Sequence, residues 1–169
     1  MNNVTLIGMP GSGKSTIGVI LATALGYQFL DTDLVIQKEE KRKLSQIIAE
    51  EGPEGFKRIE NRVNASIHVT DTVIAPGGSV IYCPEAMEHL KSIGKVVYLR
   101  LSLKSLEKRL GNLKKRGVLL KEGQTLKDLY EERVPLYEKY ADIVVDEEGK
   151  DLEASLQAVL ETLQIGVNK

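Results

Sequence analysis

Near the start of the chain, Gly8-Met9-Pro10-Gly11-Ser12-Gly13-Lys14-Ser15 fills the pattern G-x-x-x-x-G-K-[ST] without a mismatch. The apolar run Val4-Thr5-Leu6-Ile7 precedes it, and apolar periodicity opens at Thr16. Strand, glycine-rich loop and helix in that order form the setting in which this pattern cradles phosphate. Glycines let backbone N–H groups turn inward around phosphate oxygens, and the helix N-terminus adds partial positive charge. Lys14 would reach the β- and γ-phosphates, and the Ser15 hydroxyl would ligate Mg²⁺. The chain is therefore expected to bind a nucleoside triphosphate through these eight residues and Thr16.

Strand and helix patterns alternate along the rest of the chain. Strands are expected at about 4–8, 27–31, 72–75, 96–99 and 143–145. Helices are expected at about 14–25, 33–50, 54–69, 84–92, 102–110 and 125–139, with a final amphipathic helix carrying Leu152, Leu156, Val159, Leu160 and Leu163. Gly52-Pro53 divides the second and third helices, and Gly94 stops the fourth. Five strands separated by helices predict an α/β fold, a three-layer α/β/α sandwich around a parallel sheet. The 169 residues fit a single domain of the P-loop NTPase type. The polar stretch 112–123 is long for a connection and reads as a lid.

Composition narrows the function. A formal net charge of −1 gives no global basic field, so no nucleic acid is expected as a partner. The local run Lys38–Lys43 alternates with glutamates and reads as a solvated helix face. Cys83 is the one cysteine, which leaves neither a disulfide nor a cysteine metal site within the chain. His68 and His89 fall on helical patterns without acidic ligand spacing and read as surface or helix residues. No apolar run reaches the roughly 18–20 residues of a membrane span, and the first strand leaves no room for a signal peptide. A cytoplasmic monomer is the expectation.

In a parallel sheet, ligands collect beyond the carboxyl ends of the strands. After the second strand stand Asp31-Thr32-Asp33. Asp31 can hold the Mg²⁺ shell, directly or through water. Asp33 can accept or aim the proton of an attacking hydroxyl; on local pattern alone, capping of the next helix by Asp33 is an equal alternative. After the third strand, Pro76-Gly77-Gly78-Ser79 offers backbone N–H groups with no side chain in the way. Lys114, Lys115 and Arg116 in the 112–123 stretch would bring positive charge over a transferring phosphoryl group.

These landmarks, with Phe56…Glu60 and Arg133-Val134-Pro135-Leu136-Tyr137, resemble the shikimate kinases in order and spacing, from about residue 3 to about 146. That resemblance implies transfer of the γ-phosphoryl group of ATP to the 3-hydroxyl of shikimate, with Mg²⁺. It implies Asp33 as the residue at the acceptor hydroxyls and candidate base, and Arg133 as a ligand of the acceptor carboxylate. Gly77 and Gly78 would line the same pocket, Arg116 would be the lid arginine, and Arg109 would pack against adenine. Lys14, Asp33 and Arg116 would be the catalytic set. The turn 146–150 would lie on the adenine side.

Three positions depart from the family pattern. Lys57 stands where shikimate kinases carry a carboxylate-gripping arginine, and Arg58 follows about 100° round the helix. Lysine offers a point charge where arginine offers a planar two-pronged match. Pro76 replaces the first of three glycines and removes a donor, and Arg116 is followed by Gly117-Val118-Leu119 rather than Pro-Leu-Leu. All three lie at the acceptor pocket or its cover. Another small hydroxylated carboxylate or amino acid is therefore the alternative acceptor. A non-catalytic nucleotide-binding regulator is the alternative from another class, though no guanine-reading Asn-Lys-x-Asp segment is present.

Overall fold

The structure, a computed structural model, describes residues 2–110 and 123–164. Its centre is β1 (Asn3–Ile7), whose five residues are all buried. Such an apolar strand needs cover on both faces and partners on both edges. It pairs in parallel with β3 (Thr72–Ala75) on one side and β4 (Gly94–Arg100) on the other. The edge strands β2 (Gln28–Asp31) and β5 (Ile143–Asp146) complete the order β2-β3-β1-β4-β5.

Alternation along the strands sends side chains to two cores. Val4, Leu6, Val97 and Leu99 pack beneath α1 (Lys14–Leu25) and α7 (Leu152–Gln164), through Ile17, Leu21 and Val159. Ile7, Val96 and Tyr98 face α4 (Pro84–Ile93) and α6 (Leu126–Tyr140), through Met87, Leu90, Leu129 and Tyr137. The expected three-layer α/β/α sandwich with five parallel strands is the observed one. A smaller core of Ile36, Ile47, Phe56 and Val63 joins α2 (Thr32–Glu40) to α3 (Leu44–Ala65). The short helix α5 (Leu103–Arg109), which follows β4, is capped by Ser102, whose side chain accepts from the Ser105 N–H.

Two helix boundaries differ from the sequence expectation. The 33–50 pattern is two helices, because Lys41 turns left-handed at φ 55° and closes α2. The basic run consequently begins on the last turn of α2, at the exposed Lys38, and ends as a corner between helices. Arg42 there binds Glu40 at 3.1 Å, Glu50 at 2.7 Å and Glu51 at 3.3 Å, bracing α2 against α3. The 54–69 pattern ends at Ala65. The Asn3 side chain donates to the Val69 carbonyl at 2.8 Å and accepts from the Thr72 N–H at 3.0 Å, holding that segment as the lead-in to β3. His68 therefore lies beyond α3, edge-on to His89 with ring centroids 5.5 Å apart. The Gly52-Pro53 break is present inside α3, where Gly52 takes φ 73° and ψ 174°, a conformation open essentially to glycine. Among the described residues, no helix is long and apolar enough to cross a membrane.

Helix α4 passes into β4 with no residue between, and Gly94 pairs with Asn3 across the sheet. A side chain at Gly94 would drive its Cβ into the Asn3 backbone, which cannot move without disturbing the central strand. Gly94→Ala should lower stability by about 3 kcal/mol, in the upper range for overpacking. Urea unfolding should report a lower midpoint with an unchanged m-value.

Candidate active site

The loop leaving β1 turns on Gly11 and Gly13, at φ 87° and 88°, and Gly13 caps α1. Lys14, the first helical residue, folds back so that its Nζ donates to the carbonyls of Gly8 at 2.8 Å and Met9 at 3.1 Å. Burial and then the nearby Arg133 charge lower its pKa to about 8. Pro10, Gly11, Lys14 and Ser15 line a cavity of about 430 Å³. Met9 sends its side chain into the core and meets Lys14 through its carbonyl. The Ser12 side chain is buried, whereas Thr16 is exposed on the first turn of α1. Arg109, at the end of α5, donates to the Gly11 carbonyl at 3.2 Å and so lies against the loop.

The carboxyl end of β2 delivers two acids to the same cavity. Asp31 caps α2, accepting from the Asp33 N–H at 2.9 Å. The cap is thus Asp31, and the Asp33 carboxylate points to other work. Burial, with the Asp31 charge beside it, raises the Asp33 pKa to about 6, against a smaller pull from Lys14. A third acid, Glu60, comes from α3 and is buried at 1% exposure. Ser79 donates to its Oε1 at 2.7 Å, while Oε2 has no hydrogen-bond partner among the described residues. Burial raises Glu60 to about 7.

These acids explain the glycines after β3. A Cβ on Gly77 would sit 3.0 Å from Asp33 Oδ1 and 3.1 Å from Glu60 Oε2. One on Gly78 would sit 2.9 Å from an Arg133 nitrogen and 3.2 Å from the Tyr137 hydroxyl. Carboxylates thus crowd one glycine and a guanidinium the next. Arg133 reaches the cavity from α6 at 3% exposure, and Tyr137, one turn on, donates to the Gly78 carbonyl at 2.8 Å.

Of the residues singled out in the sequence, Pro10, Gly11, Lys14, Ser15, Asp31, Asp33, Gly77, Gly78 and Arg133 line one cavity. Lys57 lies beside it, on a neighbouring cavity of about 220 Å³ that shares Phe56, Glu60, Ser79 and Arg133 with the first. Its side chain is 41% exposed and pairs with Glu54 at 3.4 Å. Arg58 is exposed on the next position. The lid reading and Arg116 fall outside the described residues. The 146–150 turn docks on α5, with Glu148 accepting from Ser102 N–H at 3.1 Å and Ser105 hydroxyl at 2.6 Å.

Glu60 was legible as a landmark and missed as a participant. Its signal is position: Phe56, Glu60 and Val63 share the buried stripe of α3, so an acid occupies a core place. Glu147 is a second buried acid, raised to about 7 by burial and close enough to Arg109 and Lys14 to feel both charges.

A shikimate kinase family model matches residues 10–164. The chain is 34% identical to the shikimate kinase of Chlorobium chlorochromatii, over 95% of this chain and 90% of that protein. It is 40% identical to that of Francisella tularensis subsp. novicida, over 87% and 86%. The structure superposes on the shikimate kinase of Acinetobacter baumannii in complex with shikimate with a TM-score of 0.88 at 32% identity, covering 100% of this chain and 96% of that one.

The buried acids give stability a definite pH dependence. Glu60 binds its proton more tightly folded than unfolded, so its contribution is complete below the ordinary glutamate range near 4.5 and is lost as pH rises through about 7. Melting temperature should fall between pH 5 and 8, and Glu60→Gln should flatten that decline by several degrees. An unchanged slope in calorimetric scans of the variant would place the titrating group elsewhere.

Proposed function

The chain belongs to the shikimate kinase family, and from that premise we propose that it transfers the γ-phosphoryl group of ATP to the 3-hydroxyl of shikimate. The observation that carries the reading is the convergence of Lys14, Asp33 and Arg133 on one cavity around Gly77 and Gly78. A P-loop lysine, a carboxylate with a raised pKa and a buried guanidinium are what phosphate, acceptor hydroxyl and acceptor carboxylate respectively require.

In this reading the loop amides and Lys14 take the triphosphate, and Lys14 exchanges the Gly8 and Met9 carbonyls for phosphate oxygens. Asp33 orients the attacking hydroxyl and, near pH 7, is ionised enough to take its proton. Arg133 holds the acceptor carboxylate at the far end, with Lys57 beside it, so that the hydroxyl is aimed rather than merely bound. Gly77 and Gly78 allow the acceptor to approach the backbone. Arg109 against the P-loop suits the nucleotide side. Arg116, with the 112–123 segment as lid, completes the proposed catalytic set.

Magnesium fits the donors present. Ser15 and Asp31 offer hard oxygen atoms on the same cavity, and the repulsion between Asp31 and Asp33 is a local excess of negative charge that a cation would relieve. Among the described residues, no cluster of three acidic, cysteine or histidine ligands is present. That suits an ion shared with phosphate and water. Bound there, Mg²⁺ would neutralise charge on the phosphates. Action as a monomer in the cytoplasm is part of the same proposal.

A coupled ADP-release assay tests the proposal. Shikimate should raise ADP release at least 100-fold over the hydrolysis background, and chelation of the metal should abolish it. Asp33→Asn should reduce kcat by about 10²–10⁴-fold, the usual range for a positioned base, and Lys14→Met should remove turnover. Because Asp33 must be ionised and Lys14 charged, kcat/KM should fall below about pH 6 and above about pH 8. Fast turnover with a different hydroxy acid and background rates with shikimate would remove shikimate and keep the kinase.

A further inference from the structure

We propose that Tyr82 is a positioning residue for the carboxylate end of the acceptor, its ring holding Lys57 and Arg133 to one side pocket so that both cations can serve the same carboxylate. The inference rests on the acceptor reading above and deepens it. Tyr82 closes a 3-10 turn, Gly78–Tyr82, that follows directly on the glycines of the cavity. In such a turn, side chains three apart lie on one face. Ser79 and Tyr82 therefore look the same way, and both line the 220 Å³ side cavity.

The turn is fixed from behind. Val80 and Ile81 are buried at 0% and 1% exposure, the Cys83 N–H closes on the Val80 carbonyl at 2.9 Å, and Pro84 starts α4. From this mount the ring meets Lys57 Nζ at 5.4 Å and the Arg133 guanidinium carbon at 5.5 Å from its centroid. Both distances lie inside the range over which a cation is drawn to an aromatic ring, roughly 6 Å.

Lysine makes such a mount necessary. An arginine at position 57 would bring its own planar fork, whereas the lysine ammonium swings on a flexible stem. Its ion pair with Glu54 is exposed on both sides, at 41% and 78%, and such pairs restrain little. Glu54, Glu60 and Glu132 also line the side cavity and would draw a loose ammonium away from a bound anion. The fixed ring favours the position nearer Arg133.

Calorimetric titration of shikimate into the full chain, with Mg²⁺ and ADP present, decides the matter without needing turnover. Tyr82→Phe keeps the ring and should keep Kd within threefold. Tyr82→Leu should raise Kd about tenfold while leaving ADP affinity within twofold. The carboxamide analogue of shikimate should bind wild type and Tyr82→Leu equally weakly. If Tyr82→Leu fails to fold, Tyr82→Met, longer, more adaptable in packing and without a π face, carries the same expectation. A Kd within twofold of wild type in the ring-less variant overturns the proposal, as does an equal loss for the carboxamide. Binding that follows the expected pattern without phosphoryl transfer would instead overturn the activity reading alone.

Discussion

Everything at the site depends on β1 lying between β3 and β4 in parallel register. Parallel pairing sends the chain out of every strand at the same end of the sheet. The phosphate loop after Ile7 consequently faces the Pro76-Gly77-Gly78 turn after Ala75, and β2 on the far side of β3 brings Asp31 and Asp33 to the same end. Arg133 and Glu60 then have to arrive from helices, across the face that Ile7, Ile74 and Tyr98 share with α4 and α6. Stacking of Tyr98 on Tyr137, with centroids 5.2 Å apart, ties that face to the helix that carries Arg133.

This arrangement concentrates charge where burial opposes it. Lys14 falls to about 8, Asp33 rises to about 6 and Glu60 to about 7, each chiefly because water is excluded. A fold assembled for stability alone would fill these positions with apolar side chains. Retaining them costs stability near neutral pH, and the sign is the same for both acids. What the protein gains is a set of groups whose protonation responds to one another and to whatever anion enters. Clusters of that kind are a mark of functional sites.

The proposed phosphate end is readable from sequence because its pattern is local. Eight consecutive residues hold the glycines, the lysine and the serine, and no distant contact is needed to recognise them. The sheet was legible too, since apolar strands separated by helical periods leave few arrangements. The corner at Lys41 was not, because a left-handed lysine is set by the contacts of Arg42 across α2 and α3 and leaves no periodic trace. Glu60 and Tyr82 escaped for a related reason. Their roles arise from neighbours 19 residues away in one case (Ser79) and from two different helices, α3 and α6, in the other.

That contrast bears on how such a site can change. The loop around Lys14 is held by its own backbone, and a replacement there would have to reproduce several amide directions at once. The proposed acceptor end is assembled from side chains on α3, the 3-10 turn and α6, each mounted separately. A lysine at position 57 can then be accommodated by its surroundings, provided something restores the direction that an arginine carries in its own plane. Tyr82 occupies the place from which that restoration is possible, pinned between buried Val80 and Ile81 and the proline that opens α4. In the proposed site, phosphate chemistry and acceptor recognition are thus separable, because one is written in backbone and the other in packing.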